Sequence, residues 1–381
     1  MPDDPLASQE YQLYDPENQE IRVVVVKPPK RRYWLHILLF LVTVLSTLCV
    51  GARLQYEFDH NQVFFPFSDQ PYFIPWTWAL ADWSRLRLGI PFSLCLLGIL
   101  TAHEMGHYIL CVRRKVYATW PFFIPFPSLI GTMGAFIRIR SPIRNRCDLF
   151  DIGIAGPIAG FIVAIPVVFF ALLASKPLTH ATQDAAAFGI PLIFKLARYL
   201  LRAMGSPAAM AQLDPGRLFF HPTAIAAWVG MFATALNLIP GGQLDGGHIL
   251  FAIHPRLHRI GSLLAIIALL PLAWYFWLGW LVWAVVLRLT GRHPPVPNLP
   301  PLDAKRRLLA VFGLLMFILT FTYNPISGFG GVNILEEFHS KDKASTSMIT
   351  CVLGIFWLSA KACKFLKARL SLSRPVAFKM K

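Results

Sequence analysis

The sequence predicts an all-α polytopic membrane protein. The composition, the length of the apolar segments and the positions of the basic residues support this class. Of 381 residues, 55% are hydrophobic and only 15% are charged, whereas soluble domains carry about 25% charged residues. The formal net charge of +16 fits a membrane protein whose basic residues collect in cytoplasmic loops. We therefore expect the chain to lie in a lipid bilayer and to have no nucleic-acid partner.

The N-terminal residues 1–33 are predicted to form a polar cytoplasmic tail, because they show little apolar periodicity. Their polar, acidic start lacks the charge and apolar order of a signal peptide. The stretch "KRRYW" opens the first span, at 34–51, since basic and aromatic residues suit the cytoplasmic interface. The Phe- and Pro-rich loop after this span has few Lys or Arg, so we place it on the outer side.

The second span is predicted at 88–112, and the run "RRK" after it places its end in the cytoplasm. A third span follows at 150–174, where the small residues of "GIAGPIAG" suit close helix packing in lipid. The connection between these spans contains "GTMGAFIRIR" and several prolines, which predicts short strands punctuated by glycine. The alternative is a plain cytoplasmic connector whose arginines bind anionic lipid.

The number of later spans is open. Residues 175–221 are mixed in character and are predicted to lie outside, before a fourth span at 222–239. The apolar run 260–289 would measure about 45 Å as one helix. That length is long for one crossing of a hydrocarbon core of about 30 Å and short for two. A further span fits 308–323.

About six spans with a cytoplasmic C-terminus are favoured, with residues 34–325 as the membrane domain. This topology leaves four basic residues on the outer side: Arg292, Lys305, Arg306 and Arg307. A hairpin, with eight passes in all, would return them to the cytoplasm. The basic tail, 326–381, holds an apolar segment at 348–358 that is too short to span and fits an interfacial helix.

The cysteines do not predict a structural site. None of the six forms a CxxC pair, and Cys49, Cys95 and Cys111 lie inside apolar runs. We therefore expect neither a disulfide framework nor a thiolate metal site.

Three polar side chains interrupt the second span in the stretch "LTAHEMGHYIL". Positions i and i+4 share one helix face, so His103 and His107 can direct two imidazoles at one metal ion. Glu104 is turned by about 100° from His103, close enough to act as general base for a water whose pKa zinc lowers towards ~7. Inter-helix hydrogen bonding is the structural alternative, but it would need only one of these three polar side chains. Each charged group in lipid costs about 2.5 kcal/mol or more, so a metal site is favoured.

A catalytic zinc needs three protein ligands and an open position. The third ligand is predicted to be Asp245, in "NLIPGGQLDGGHIL", where Pro240 and two glycines break a helix at membrane depth. Broken backbone is tolerated there if it lines a cavity. Asp245 could instead be the N-cap of a helix at the cytoplasmic surface, the commoner role for an Asp beside glycines, and the two roles can coexist. His248, three residues further on, is a weaker ligand candidate.

These two motifs together resemble the site-2 protease family of intramembrane zinc metalloproteases. The family pattern is HExxH followed by N-x-x-P-x-x-x-L-D-G. The second part is matched at Asn237, Pro240, Leu244, Asp245 and Gly246. The resemblance covers a three-span core, about 88–253, and is weak outside it.

The resemblance implies a role for each matched residue. His103, His107 and Asp245 would bind one zinc ion per chain, and Glu104 would be the catalytic base. Asn237 would contact the substrate or the developing oxyanion, although from the residue alone an inter-helix hydrogen bond is the commoner role.

The implied activity is that of a metalloendopeptidase. It would cleave a peptide bond within or near the transmembrane segment of a single-span protein, such as a membrane-tethered regulator. The predicted strands between the second and third spans would form a small membrane-associated β-region that receives an unwound substrate as an added strand. The expected location is the cytoplasmic membrane of a prokaryote, with the N-terminus in the cytoplasm. The connecting loops are too short for a PDZ domain of about 90 residues.

Three other functions are less well supported. A divalent-metal transporter would have polar residues along several spans rather than at one depth. A binding protein without turnover is disfavoured because the motif is intact. A zinc protease facing the aqueous phase would need a downstream glutamate ligand, and Glu336 and Glu337 are the only glutamates after Glu104. The sequence makes no prediction of oligomeric state.

Overall fold

The computed structural model describes most of the chain from Tyr33 to about residue 332, and a short segment before it. The described residues are 9–15, 20–26, 33–62, 75–177, 188–205, 218–291, 293–294, 296, 301–327 and 330–332. The predicted interfacial segment at 348–358 and most of the basic tail lie outside them.

The predicted polar tail contains a β-hairpin. Strand β1 (Gln9–Asp15) pairs antiparallel with β2 (Glu20–Val26), and Gln9 lies opposite Val26. The prediction of a tail with little periodicity is therefore incomplete. The missed signal is the β-branched run "IRVVVV", because such residues favour extended backbone.

Helices dominate the rest of the chain. They are α1 (Tyr33–Asp59), α2 (Pro75–Leu80), α3 (Ile90–Arg113), α4 (Arg146–Ala174), α5 (Leu192–Ala203), α6 (Pro222–Asn237), α7 (Asp245–Ile253), α8 (Pro255–Tyr275), α9 (Gly279–Thr290) and α10 (Ala304–Thr320). A 3₁₀ segment, Trp83–Gly89, leads directly into α3.

Four helical segments in the described part of the chain are long and apolar enough to cross a membrane: Tyr33–Asp59, Trp83–Arg113, Arg146–Ala174 and Pro255–Tyr275. Together with the helical content, they confirm the predicted class of an all-α polytopic membrane protein. The spans predicted at 222–239 and 308–323 correspond to shorter helices of 16 and 17 residues.

The predicted strands between the second and third spans are confirmed. Strand β3 (Phe122–Pro125) pairs antiparallel with β4 (Thr132–Phe136), and the ribbon continues to a bridge between Ala118 and Ile139. This ribbon lies on α1, where Gly131 has a φ of +79° and its carbonyl accepts a hydrogen bond from the Ser46 hydroxyl. A Cβ at Gly131 would lie 2.9 Å from the Ser46 carbonyl oxygen, so glycine is needed for the close approach.

The long apolar run at 260–289 forms two helices. Residues 276–278 separate α8 from α9, and the two helices pack through an apolar cluster that includes Leu269, Trp280 and Leu287. Pro271 lies inside α8, whereas Gly279 begins α9. The run therefore forms a helical hairpin rather than one long helix.

An ion-pair cluster shows which helix ends lie together. The Arg306 guanidinium donates to both carboxylate oxygens of Asp151, at 2.7 and 2.8 Å, and Arg114 contacts the same carboxylate. The start of α10 thus lies beside the start of α4 and the end of α3. Arg306 thus lies on the same side of the molecule as "RRK", which is the side that the hairpin alternative requires.

The opposite ends of the helices also meet. The Lys176 ammonium donates to the Phe58 carbonyl at 3.1 Å, which joins the C-terminal ends of α1 and α4. Nearby, β5 (Lys176–Pro177) pairs with β6 (Leu218–Phe219) at the entry to α6. Helices α3, α4 and α6 lie between these two ends and share one hydrophobic core.

Candidate metal centre

Three of the predicted site residues lie together on α3. His103, Glu104 and His107 are all buried, and the two imidazole ring centroids are 5.0 Å apart. The helix is continuous from Ile90 to Arg113, so the i, i+4 spacing places both histidines on one face. None of the three residues is more than 6% exposed, so solvent has little access to this face.

Asp245 meets both histidines from another part of the chain. Its Oδ2 atom lies 3.2 Å from the Nε2 of His103 and 3.2 Å from the Nε2 of His107. Asp245 is the first residue of α7, and Leu244 is the N-cap without a side-chain cap bond. The alternative of Asp245 as N-cap is therefore wrong, because its carboxylate is directed at the histidines.

The loop between α6 and α7 brings Asp245 to this position. Gly242 has a φ of +59°, a conformation that favours glycine. Gly246 packs so tightly under Leu238 that an added Cβ would lie 2.2 Å from the Leu238 carbonyl oxygen. The glycines of "PGGQLDGG" therefore allow the chain to fold back on itself and deliver the carboxylate.

The donor set fits a tetrahedral metal ion. The ligand atoms of His103, His107 and Asp245 all lie within 4.8 Å of one another. A tetrahedron with bonds of about 2.0–2.1 Å has edges of about 3.3 Å, close to the two 3.2 Å separations between nitrogen and oxygen. Two imidazoles and a carboxylate are ligands that Zn²⁺ accepts in sites with an open fourth position.

Helix α4 orients the His107 ring. The Nδ1–H of His107 donates to the Ile152 carbonyl at 2.7 Å, which leaves the Nε2 lone pair directed at the site. The ring lies directly on Gly156, where a Cβ would come within 2.1 Å of Nε2. Gly160 similarly lies against His103. The small residues of "GIAGPIAG" therefore make room for the histidine side chains as well as for helix packing.

Two polar groups border the metal position. The Asn237 amide nitrogen, at the end of α6, lies 3.2 Å from His103 Nε2. The backbone N–H of Ile137, one residue beyond β4, hydrogen-bonds the Glu104 carboxylate. Sequence analysis did not identify Ile137, because a backbone group that acts through its N–H has no side-chain signature.

His248 does not join this cluster. Its Nδ1 lies 2.8 Å from the Nε2 of His293, and the His293 ring stacks on Phe251 at 4.1 Å. Among the residues that the structure describes, His103, His107 and Asp245 form the one group with metal-binding geometry. Sequence analysis also missed His293, whose position depends on how the linker after α9 crosses α7.

The fold and the site define a class of protein, a helical membrane protein with a buried His–His–Asp group beside a glutamate. Residues 91–272 match the family described as Peptidase family M50. This match covers just under half of the chain, and it confirms the resemblance to the site-2 protease family found in the sequence.

Several plant proteins are similar to this chain. It is 31% identical over 234 residues to "Probable zinc metalloprotease EGY1, chloroplastic" of Arabidopsis thaliana, covering 60% of this chain and 41% of that protein. It is 32% identical over 182 residues to "Probable zinc metalloprotease EGY2, chloroplastic" of Oryza sativa subsp. indica, covering 47% and 32%. The chain thus spans less than half the length of these relatives.

The relatives bear on the predicted location. The membrane-length helices and the family match support an integral membrane protein. However, both relatives carry the description "chloroplastic", and the prediction of a prokaryotic cytoplasmic membrane does not fit them.

Proposed function

We propose that this protein is a zinc-dependent endopeptidase that hydrolyses peptide bonds within the membrane. The observation that carries the proposal is the convergence of His103, His107 and Asp245 beside Glu104 among membrane-length helices. The family match and the relatives' names, which describe zinc metalloproteases, support it. The metal-transporter alternative gains no support, because the metal-binding group is confined to one depth.

The three ligands and Glu104 have different roles in the proposed reaction. Zinc held by His103, His107 and Asp245 would supply a Lewis acid that lowers the pKa of a water molecule to about 7. Glu104 accepts the proton of this water as the water oxygen attacks the peptide carbonyl carbon. The same carboxylate then gives the proton to the nitrogen as the C–N bond breaks.

We also propose that Asn237 stabilises the charge that develops on the carbonyl oxygen. Its amide nitrogen lies 3.2 Å from the Nε2 of His103, next to the metal position. An amide N–H is a suitable donor to an oxyanion. The low exposure of the surrounding side chains excludes bulk water, which strengthens this interaction.

We further propose that the substrate is the transmembrane segment of a single-span protein, bound in an extended form. A helix hides its peptide carbonyls in internal hydrogen bonds, so the scissile bond must leave the helix before attack. In the described part of the chain, β4 pairs only with β3, and Ile137 connects its end to Glu104. Strand addition at β4 would deliver an extended substrate to the catalytic base.

The orientation of the protein is also a proposal. The basic end of α3 and the start of α10 lie on one side of the membrane, joined through Asp151. By the positive-inside rule this side also holds the N-terminal end of α1. The metal centre lies nearer to this side, because His107 is within two helical turns of Arg113.

A Glu104→Gln variant tests the proposed function. The purified wild type and variant would be compared for bound zinc and for cleavage of a single-span test protein in liposomes. We expect the variant to retain zinc and to lose cleavage, because the amide cannot accept the proton. Glu57→Gln is the matched control, since Glu57 is a buried glutamate of α1 at the opposite side of the protein.

Two results would contradict the proposal. Equal cleavage by the wild type and Glu104→Gln would exclude Glu104 as the base. Metal uptake into sealed vesicles without any cleavage would instead favour transport.

A further inference from the structure

Helix α5 carries three separate stripes of side chains. Its sequence is "LIFKLARYLLRA", and one stripe is buried against the protein: Ile193, Phe194, Ala197 and Leu201. The Phe194 ring contacts Phe220, which precedes α6, with ring centroids 6.0 Å apart. This stripe holds α5 on the body of the molecule.

The second stripe is apolar and exposed. Leu192, Leu196, Tyr199 and Leu200 have exposed fractions of 47%, 42%, 66% and 41%. At 100° per residue these four side chains share one side of the helix. In the described part of the chain no other element covers this side, so the helix presents an apolar face outwards.

The third stripe is basic. Lys195, Arg198 and Arg202 lie side by side on the flank next to the exposed apolar face, and α5 contains no acidic residue. Lys195 and Arg202 are exposed, and neither forms an ion pair with another described residue. A stripe of cations next to an apolar stripe is the pattern of a helix at a charged membrane surface.

The position of α5 in the fold fits this pattern. The helix follows α4, whose start lies at the "RRK" end of the molecule and whose end meets the end of α1 through Lys176. It therefore lies at the membrane boundary opposite to "RRK". Loops on that outer side ordinarily carry few Lys or Arg, so three cations in one short helix need another explanation.

Neither water nor hydrocarbon alone suits α5. In water the exposed leucines would remain solvated, and in the hydrocarbon core Lys195 and Arg202 would be strongly unfavourable. At the interface the leucines enter the acyl region while the cations reach the headgroups. We propose that α5 lies in the membrane–water interface on the side opposite to "RRK", and that it binds anionic phospholipid headgroups there through Lys195 and Arg202. This inference goes beyond the proposed peptidase activity and does not depend on it.

A local lipid-quenching experiment tests the proposal. A fluorophore would be attached at Leu196→Cys in the full-length protein, reconstituted in vesicles of phosphatidylcholine with phosphatidylglycerol. Nitroxide-labelled forms of each lipid would then be compared as quenchers. We expect stronger quenching by the phosphatidylglycerol form, and an unsubstituted protein carried through the labelling would give the background from native cysteines.

Charge variants identify the source of the preference. Lys195→Glu combined with Arg202→Glu should lower the local preference for phosphatidylglycerol by about ten-fold or more, since each cation near an anionic surface contributes about five-fold. The matched control exchanges the two cations, Lys195→Arg with Arg202→Lys, and should keep the preference.

Three outcomes would overturn the proposal. Equal quenching by both lipids in the wild type would exclude a selective anionic headgroup site. Rapid quenching by a water-soluble agent would place α5 in water. Protection from both lipid and aqueous quenchers would show that another protein surface covers this face.

Discussion

At the residue scale, the position of the His107 ring depends on the absence of a Cβ atom at Gly156. The imidazole of His107 occupies the space where a Cβ would be, 2.1 Å from Nε2. The same ring is held from its other nitrogen by the Ile152 carbonyl. The ring can therefore adopt its position only because α4 has no side chain at residue 156.

A Gly156→Ala variant should lose most of its zinc and its cleavage activity. The added methyl group overlaps the His107 ring, so either the ring leaves the site or α3 and α4 separate. Zinc content of the purified protein, measured with its cleavage rate, checks this expectation. Gly98→Ala is the control on α3, because a Cβ there meets nothing within 4 Å. Normal zinc content in Gly156→Ala would contradict the account of the ring position.

At the element scale, Asp151 connects three helices. Its side chain is only 12% exposed and contacts Arg306 of α10 and Arg114, the residue that caps the C-terminal end of α3. The bidentate contact with Arg306 is of the geometrically specific kind. The start of α10 is thereby fixed beside the helix that supports both histidines.

An Asp151→Asn variant should loosen the start of α10. An amide cannot pair with two guanidinium groups, and the loss of charged hydrogen bonds costs about 1–3 kcal/mol of unfolding free energy. Hydrogen exchange in residues 304–310 should accelerate, and thermal unfolding should occur at a lower temperature. Arg306→Lys should accelerate exchange less, because Lys keeps the charge but loses the bidentate contact. Unchanged exchange would show that packing alone holds α10.

At the scale of the whole molecule, the metal centre joins segments that are distant in the chain. His103 and Asp245 are separated by 142 positions. An ion bound to both stabilises the folded state, and at 100 times its dissociation constant a ligand contributes about 2.7 kcal/mol. Metal binding and the packing of the helices that carry His103 and Asp245 are therefore thermodynamically linked.

Removal of zinc by a chelator should lower the unfolding temperature of the wild-type protein. The Asp245→Ala variant lacks one ligand, so it should contain little zinc and show almost no further change with the chelator. Thermal unfolding before and after chelation, followed by zinc addition, measures both effects. An equal chelator effect in wild type and Asp245→Ala would mean that the third ligand lies elsewhere.

Local patterns determined much of the protein from its sequence. The membrane class follows from apolar segment length, because the bilayer requires about twenty apolar residues in a helix. The proximity of His103 and His107 follows from helix geometry, since both lie on one continuous helix. The strands between the second and third spans were likewise predicted from glycine and proline positions. The catalytic and ligand roles of the site residues themselves stay predictions until the variants are measured.

Only the tertiary structure decided which distant groups meet. The residues alone left Asp245 open between cap and ligand, and the fold of "PGGQLDGG" directs its carboxylate to the histidines. Every residue except proline has a backbone N–H, and every residue has a backbone carbonyl. The roles of the Ile137 N–H and the Ile152 carbonyl therefore have no sequence signal. The α8–α9 hairpin and the contact of Arg306 with Asp151 depend on packing between separate helices. Sequence periodicity describes one helix at a time, whereas these contacts depend on how separate helices pack against each other.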